Sequence, residues 1–181
     1  THQDSMGTKE TLGRGAIQFM TAGTGVYHSE HNLGDKPLRF IQTWIDPSKR
    51  NLTPNYGSCE GSPKERQNKL QHLVSNVMDP STSTPVEINQ DVDVYATELD
   101  LGNKVQMNLQ NGRQAYLLCI EGGIEVNGKK LSRHDGCEIT SKEGGGLEIE
   151  ATSVEETENG EVAHVLMFVM KAVEGSGRSD I

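Results

Sequence analysis

Gly15-Ala16-Ile17-Gln18-Phe19-Met20-Thr21-Ala22-Gly23-Thr24-Gly25-Val26-Tyr27-His28-Ser29-Glu30-His31-Asn32 is the stretch on which the reading of the fold turns. After Gly15, Ile17 and Phe19 alternate around Gln18, the period-two pattern of a half-buried strand. Gly23 and Gly25 punctuate a turn. The chain then enters its densest group of reactive polar side chains, His28-Ser29-Glu30-His31-Asn32. On a strand, positions 28 and 30 point to one side and position 31 to the other. The His28 imidazole and the Glu30 carboxylate can therefore address one ion together, and His31 faces away from it. Imidazole with carboxylate suits a first-row divalent ion such as iron, nickel, manganese or zinc.

Outward from this stretch the same period recurs. Phe40, Gln42 and Trp44 alternate with Ile41, Thr43 and Ile45, which predicts a sandwich-type strand with Phe40 and Trp44 in the core. Between Tyr56 and Pro85 the pattern lapses. Residues 57–63 have loop chemistry, Lys64 to Lys69 suits a helical turn or two, Leu70 to Val77 a strand, and Pro80 and Pro85 bracket a Ser/Thr loop. From Val86 on, strands follow closely, through Val92–Ala96, Val105–Leu109, Ala115–Cys119, Ile124–Val126, Cys137–Ile139 and Leu147–Ala151. Asn127-Gly128 is a two-residue hairpin signal, because both central positions of a type I′ turn need positive φ. The apolar run Val162–Met170 predicts a strand buried on both faces. Seven or eight short strands with regular turns give an all-β barrel or jelly roll.

Composition agrees. The 181 residues carry 20 Gly and 6 Pro, which favours short strands and tight turns, and 33% hydrophobic residues suffice for a core. A net charge of -9 repels a nucleic-acid backbone, so no direct nucleic-acid binding is expected. Cys59, Cys119 and Cys137 are odd in number and unclustered, as reduced thiols of a cytoplasmic protein are. The sequence shows neither an apolar stretch of membrane-spanning length nor a basic-then-apolar leader, so no membrane partner is expected. It opens on Thr1 in a polar, turn-like stretch, as a chain entered in mid-domain would.

The order Gly15, five residues, Thr21, Gly23, four residues, His28, three residues, Asn32 resembles the second motif of the cupin superfamily, with Thr21 in the place of a proline and a spacer two residues longer. A denser set of matches resembles the pirin family: His2, Asp4, Ser5 and Gly7; then Gly15, Gln18, Met20 through Gly23, Gly25, and His28 through Glu30; then Pro37, Leu38, Gln42 and Trp44. The resemblance implies a double-stranded β-helix built as a bicupin with one metal in its first half. It places two of four ligands at His28 and Glu30 and the other two in a His-x-His strand upstream of Thr1, so the first half is expected to be incomplete. His2 would hydrogen-bond beside the site or substitute as a ligand. In the second half, Gly102, Asn108, Gln110, Ala115 and Gly122 keep the spacing of the first cupin motif without its ligands, which implies a cupin without metal. The expected divisions are residues 1–56, a remainder of the metal-binding cupin; 57–85, a connection; 86–173, the second cupin; and 174–181, a disordered tail.

What the resemblance implies for function is a quercetin 2,3-dioxygenase-like oxidoreductase, holding one divalent metal, with iron before nickel, manganese or zinc. A flavonol-type substrate and dioxygen would be its reactants, and Glu30 both a ligand and the base toward the substrate hydroxyl. The competing implication is a non-enzymatic, metal-binding partner of transcription factors, nuclear in a eukaryote, and a third is an inactive truncated cupin. Outside this site, His164 is expected as a satisfied interior histidine, His72 and His134 as exposed loop or strand-edge residues, and Glu155-Glu156-Thr157-Glu158 as a solvated turn.

Overall fold

A computed structural model of the chain describes residues 1–140 and 144–173. It divides into two compact units, residues 1–62 with 73–91, and residues 63–72 with the chain from Val92 on. The expected tail at 174–181 lies outside the described residues.

The first unit holds seven strands, the sixth of them beginning in the second unit: β1 (His2–Asp4), β2 (Lys9–Glu10), β3 (Ile17–Thr21), β4 (His28–Glu30), β5 (Asn55–Cys59), β6 (Gln71–Asn76) and β7 (Val86–Ile88). Strands β2, β1 and β4 form a three-stranded antiparallel sheet in that order, and β3 pairs with β5. Strands β6 and β7 run parallel, with Val74 opposite Val86. Residues 57–59, expected as loop, lie in β5 because Gly57 sits opposite Phe19 and the ring covers the bare glycine.

The predicted strand at Phe40–Ile45 is not formed. Residues 31–54 run without regular structure, and Phe40 and Trp44, expected in the core, are 64% and 87% exposed. The alternation is real, yet among the described residues no neighbouring strand supplies ladder partners for it, and a β pattern is a fit to a paired surface rather than a property of the backbone alone. Two hydrogen bonds tether the far end of the segment, from the Ser48 N–H to the Asn89 carbonyl (2.7 Å) and from Gln90 Nε2 to the Asp46 carbonyl (2.7 Å). Within the expected connection at 57–85, the helical turn expected at 64–69 forms as the short helix α1 (Pro63–Arg66) and the strand expected at 70–77 forms as β6, while most of β5 also falls there.

The second unit is the better core. It contains α1 and then β8 (Val92–Leu99), β9 (Lys104–Leu109), β10 (Arg113–Glu121), β11 (Gly123–Val126), β12 (Lys129–Ser132), β13 (Gly136–Thr140), β14 (Gly145–Ser153), β15 (Glu155–Thr157) and β16 (Gly160–Lys171). Strands β13, β10, β16 and β8 make one antiparallel sheet and β12, β11, β14 and β9 another. Between them lie Leu99, Leu117, Cys119, Val165 and Met167 from the first and Val105, Leu109, Ile124, Leu147 and Ile149 from the second. Each fully buried Leu, Ile or Met in this layer contributes on the order of 1.5–3 kcal/mol. The run Val162–Met170 is buried on one face only: Val165, Met167 and Val169 face the core, while His164, Leu166, Phe168 and Met170 are half-buried. Asn127 (φ 46) and Gly128 (φ 82) form the predicted hairpin turn between β11 and β12.

The register of β9 corrects the spacing match in this half. Val105 and Leu109 are buried with Met107 packed beside them, whereas Asn108 and Gln110 are exposed. A one-residue offset on a strand exchanges the two faces, so the ligand-like spacing falls on the outside of the sandwich and the inward positions are apolar.

Other expectations are corrected by pairing. His72 lies in β6, half-buried, with Nε2 2.9 Å from Asp93 Oδ1 and its ring stacked on Tyr95 at 4.4 Å. His164 is interior but not satisfied at Nδ1, which has no hydrogen-bond partner and stands 3.6 Å from Glu121 and 4.0 Å from Glu98. Glu155–Thr157 is strand β15, and Glu155 accepts the Gly122 N–H at 2.9 Å and pairs with Arg133 at 3.2 Å. Among the described residues no helix is long and apolar enough to cross a membrane.

Candidate functional site

The three-stranded sheet of the first unit sets the site. Register places Glu10 and Glu30 on either side of His2, and His28 opposite Asp4. Directly opposed residues share a face of the sheet, as do residues two apart on a strand. His2, Asp4, Glu10, His28 and Glu30 therefore project from one face. The β3–β5 ladder brings Gln18 and Tyr56 to meet them.

At the centre is His2, whose side chain is 2% exposed. Its ring stacks on Tyr56 at 4.6 Å and lies 5.7 Å from the His28 ring. Asp4 fixes it. Oδ1 of Asp4 accepts the N–H groups of Met6 (2.9 Å) and Thr8 (3.0 Å), and Oδ2 lies 3.2 Å from His2 Nε2. Desolvation alone would raise the Asp4 carboxyl, but the Thr8 N–H, the His2 ring and the Met6 N–H outweigh it and hold the group below the usual carboxylate range. Nε2 of His2 faces this carboxylate, and Nδ1 is the other nitrogen of the ring. Nδ1 is buried, has no hydrogen-bond partner, and stands 4.0 Å from Glu30 Oε1.

Around this pair runs a chain of hydrogen bonds. The Tyr56 hydroxyl is shared between Glu10 Oε2 (2.8 Å) and Gln18 Oε1 (3.3 Å), and Gln18 Nε2 donates to Glu30 Oε1. Burial and the adjacent Glu10 carboxylate push the Tyr56 phenol well above its ordinary value, which keeps it a donor. Hydrogen bonds from Ser58 and Tyr56 hold Glu10 below its ordinary value.

Of the sequence-predicted residues, His28 and Glu30 sit on the same face of β4, His28 exposed and Glu30 half-buried. His31 lies past the end of the strand, exposed, donating its backbone N–H to the Thr1 carbonyl. Imidazole at His28 and carboxylate at Glu30 are donor types that suit a first-row divalent ion. Among the described residues no group of three or more His, Cys, Asp or Glu side chains is gathered closely enough to hold a metal ion. Gln18, Tyr56 and Glu10 were not singled out from sequence as functional. The available signal was a polar Gln18 between Ile17 and Phe19 on a strand otherwise reading as core.

The family described as "Pirin" matches residues 1–45, and the "Quercetinase C-terminal cupin domain" matches residues 77–170, more than half of the chain. The chain belongs to the pirin family. It is 40% identical over 139 residues to a Pseudomonas aeruginosa protein named "Putative quercetin 2,3-dioxygenase", covering 77% of this chain and 59% of that one. It is 30% identical over 139 residues to the quercetin 2,3-dioxygenase of Escherichia coli, covering 76% and 58%. The crystal structure of YhhW from Escherichia coli superposes with a TM-score of 0.78 at 28% identity, over 95% of this chain and 67% of that one. A structure of the same bacterial pirin in complex with nickel(II) superposes with a TM-score of 0.73 at 27% identity, over 95% and 68%. The chain thus spans less than two thirds of the length of these two curated relatives.

Proposed function

We propose that the chain contributes His28 and Glu30 to the metal site of a pirin-type dioxygenase acting on a flavonol-type substrate. In this reading residues 1–56 belong to the metal-binding cupin and residues 86–173 form a cupin without metal. His28 and Glu30 are two of the ligands of one divalent transition metal, iron first among iron, nickel, manganese and zinc. The observation that carries the reading is the buried His2 Nδ1, unpartnered and turned toward Glu30 Oε1 at 4.0 Å, on the face from which His28 also projects. The relatives named as quercetin 2,3-dioxygenases and the nickel complex of YhhW support it.

When bound, the ion would act as a Lewis acid toward an enolate oxygen and leave ligand positions open for dioxygen. The chain's own residues have separate tasks. Glu30 takes the proton of the substrate hydroxyl, His28 stands at the exposed side where substrate arrives, and Asp4 with Tyr56 keeps the His2 ring in one orientation.

The test is elemental analysis of the purified protein with intact mass and quercetin turnover. About one transition-metal ion per molecule, lost in His28→Ala, together with loss of turnover in Glu30→Ala, is the expected result. Turnover unchanged in Glu30→Ala, or a metal content indifferent to both variants, refutes the reading.

A further inference from the structure

Three Asn-Gly pairs stand in the sequence, Asn111-Gly112, Asn127-Gly128 and Asn159-Gly160, and each lies where one strand of the second unit turns into the next. In such a pair a side-chain amide meets a following N–H that no Cβ shields. The fold treats the three amides differently. Asn127 is tied at both ends, with Nδ2 donating to the Gly146 carbonyl (3.1 Å) and Oδ1 accepting the Glu148 N–H (2.8 Å). Asn159 points Nδ2 at the Glu98 carboxylate, 3.2 Å from Oε2 and 3.4 Å from Oε1, and its own N–H donates to Thr157 Oγ1 at 3.1 Å. Asn111 has no such ties. Its side-chain amide has no hydrogen-bond partner among the described residues, and both it and Gly112 are exposed. A Cβ on Gly112 would meet nothing within 4 Å. The turn is closed by the Arg113 N–H on the Gln110 carbonyl (3.1 Å), and the Gly112 carbonyl accepts the Ala172 N–H (2.8 Å). Neither bond uses the Gly112 N–H, which is left to meet the adjacent amide carbon.

We propose that Asn111 is a site of spontaneous deamidation, converted to aspartate and isoaspartate while Asn127 and Asn159 persist. The Gly112 nitrogen bonds to Cγ of Asn111, the Cγ–Nδ2 bond breaks, and Nδ2 leaves as ammonia with the proton of the Gly112 N–H. Water then opens the cyclic imide. Cleavage at Cγ gives aspartate, and cleavage at the main-chain carbonyl gives isoaspartate, in which the backbone runs through the former side chain. Nothing is oxidised or reduced, and water is the reactant added. Each event adds a negative charge to a chain already at -9. The isoaspartyl form also lengthens the backbone inside the turn that holds Ala172 just past β16. Breaking the two amide hydrogen bonds of Asn127 before it can cyclise slows that site by roughly 5- to 150-fold relative to Asn111.

The experiment ages the whole purified protein at mildly alkaline pH and physiological temperature in heavy-oxygen water, with peptide mapping by mass spectrometry and ion-exchange profiles at intervals. A parallel sample is kept unfolded in urea, and Asn111→Gln is aged beside the wild type. In the folded protein Asn111 is expected to convert first, giving both aspartate and isoaspartate, each with a heavy oxygen incorporated. The more acidic species should be absent from Asn111→Gln. In urea the three sites should convert at similar rates, since the hydrogen bonds that set them apart are gone. Asn127 or Asn159 converting as fast as Asn111 in the folded protein overturns the inference. So does Asn111 persisting there while all three convert in urea, because the fold would then protect this turn as well. A product that is all aspartate also overturns it, since direct hydrolysis of the amide makes no isoaspartate.

Discussion

Gly57 is where a single methyl group should disturb the site from behind. An ideal Cβ there would lie 2.3 Å from Phe19 Cε1 and 3.2 Å from Cδ1 and Cζ. The closest approach is roughly 1.2–1.7 Å inside the optimal carbon–carbon separation of about 3.5–4.0 Å. The ring must therefore tilt off its place over the strand, and overpacking of this size costs about 1–3 kcal/mol. With a urea dependence near 2 kcal/mol per molar, Gly57→Ala should lower the unfolding midpoint by about 0.5–1.5 M, followed by circular dichroism. The assignment of cause comes from the double variant. In a Phe19→Ala background the added methyl has space, so Gly57→Ala there should be close to neutral, giving a coupling of about 1–3 kcal/mol. Equal losses from Gly57→Ala in both backgrounds would refute the argument that the ring is what forbids a side chain at position 57.

Two further outcomes follow from contacts away from the ligands. Asp4 has a folded-state carboxyl below its ordinary value of 3.8, so its stabilising contribution is complete above that value and is lost as pH falls through the depressed one; Asp4→Asn should flatten the acid limb of the stability curve, measured by melting temperature against pH. Asn127 combines positive φ with hydrogen bonds from Nδ2 to the Gly146 carbonyl (3.1 Å) and from the Glu148 N–H to Oδ1 (2.8 Å), so Asn127→Ala should cost about 1–3 kcal/mol, and Asn127→Gly less, by urea unfolding.

How far the residues alone disclosed this structure depends on where pairing partners lie. The second unit follows its alternation closely, because β9 to β16 find their neighbours within the unit and their inward positions are apolar. The hairpin at Asn127-Gly128 needed only local chemistry and formed where predicted. Phe40 to Ile45 shows the opposite: the period is as clear as elsewhere, but without a partner strand the segment stays exposed. That His28 and Glu30 share a face was readable from their spacing on one strand. That Gln18, Tyr56 and Glu10 lie beside them was not, since it depends on two ladders meeting, and no period within a strand encodes that. The mismatch at Asn108 and Gln110 has a related origin, because spacing counts residues and does not report which way they face.

That last feature sets the terms for anyone wishing to build an ion site into the second cupin. Histidines placed at 108 and 110 would decorate the outer surface and chelate, at best, as a tag does. The inward-facing pair is Met107 and Leu109, packed with Leu147 and its neighbours, so an engineered site there would have to exchange oil for imidazole in the layer that holds the unit together. Converting the second half would mean redesigning this core before choosing the ligands.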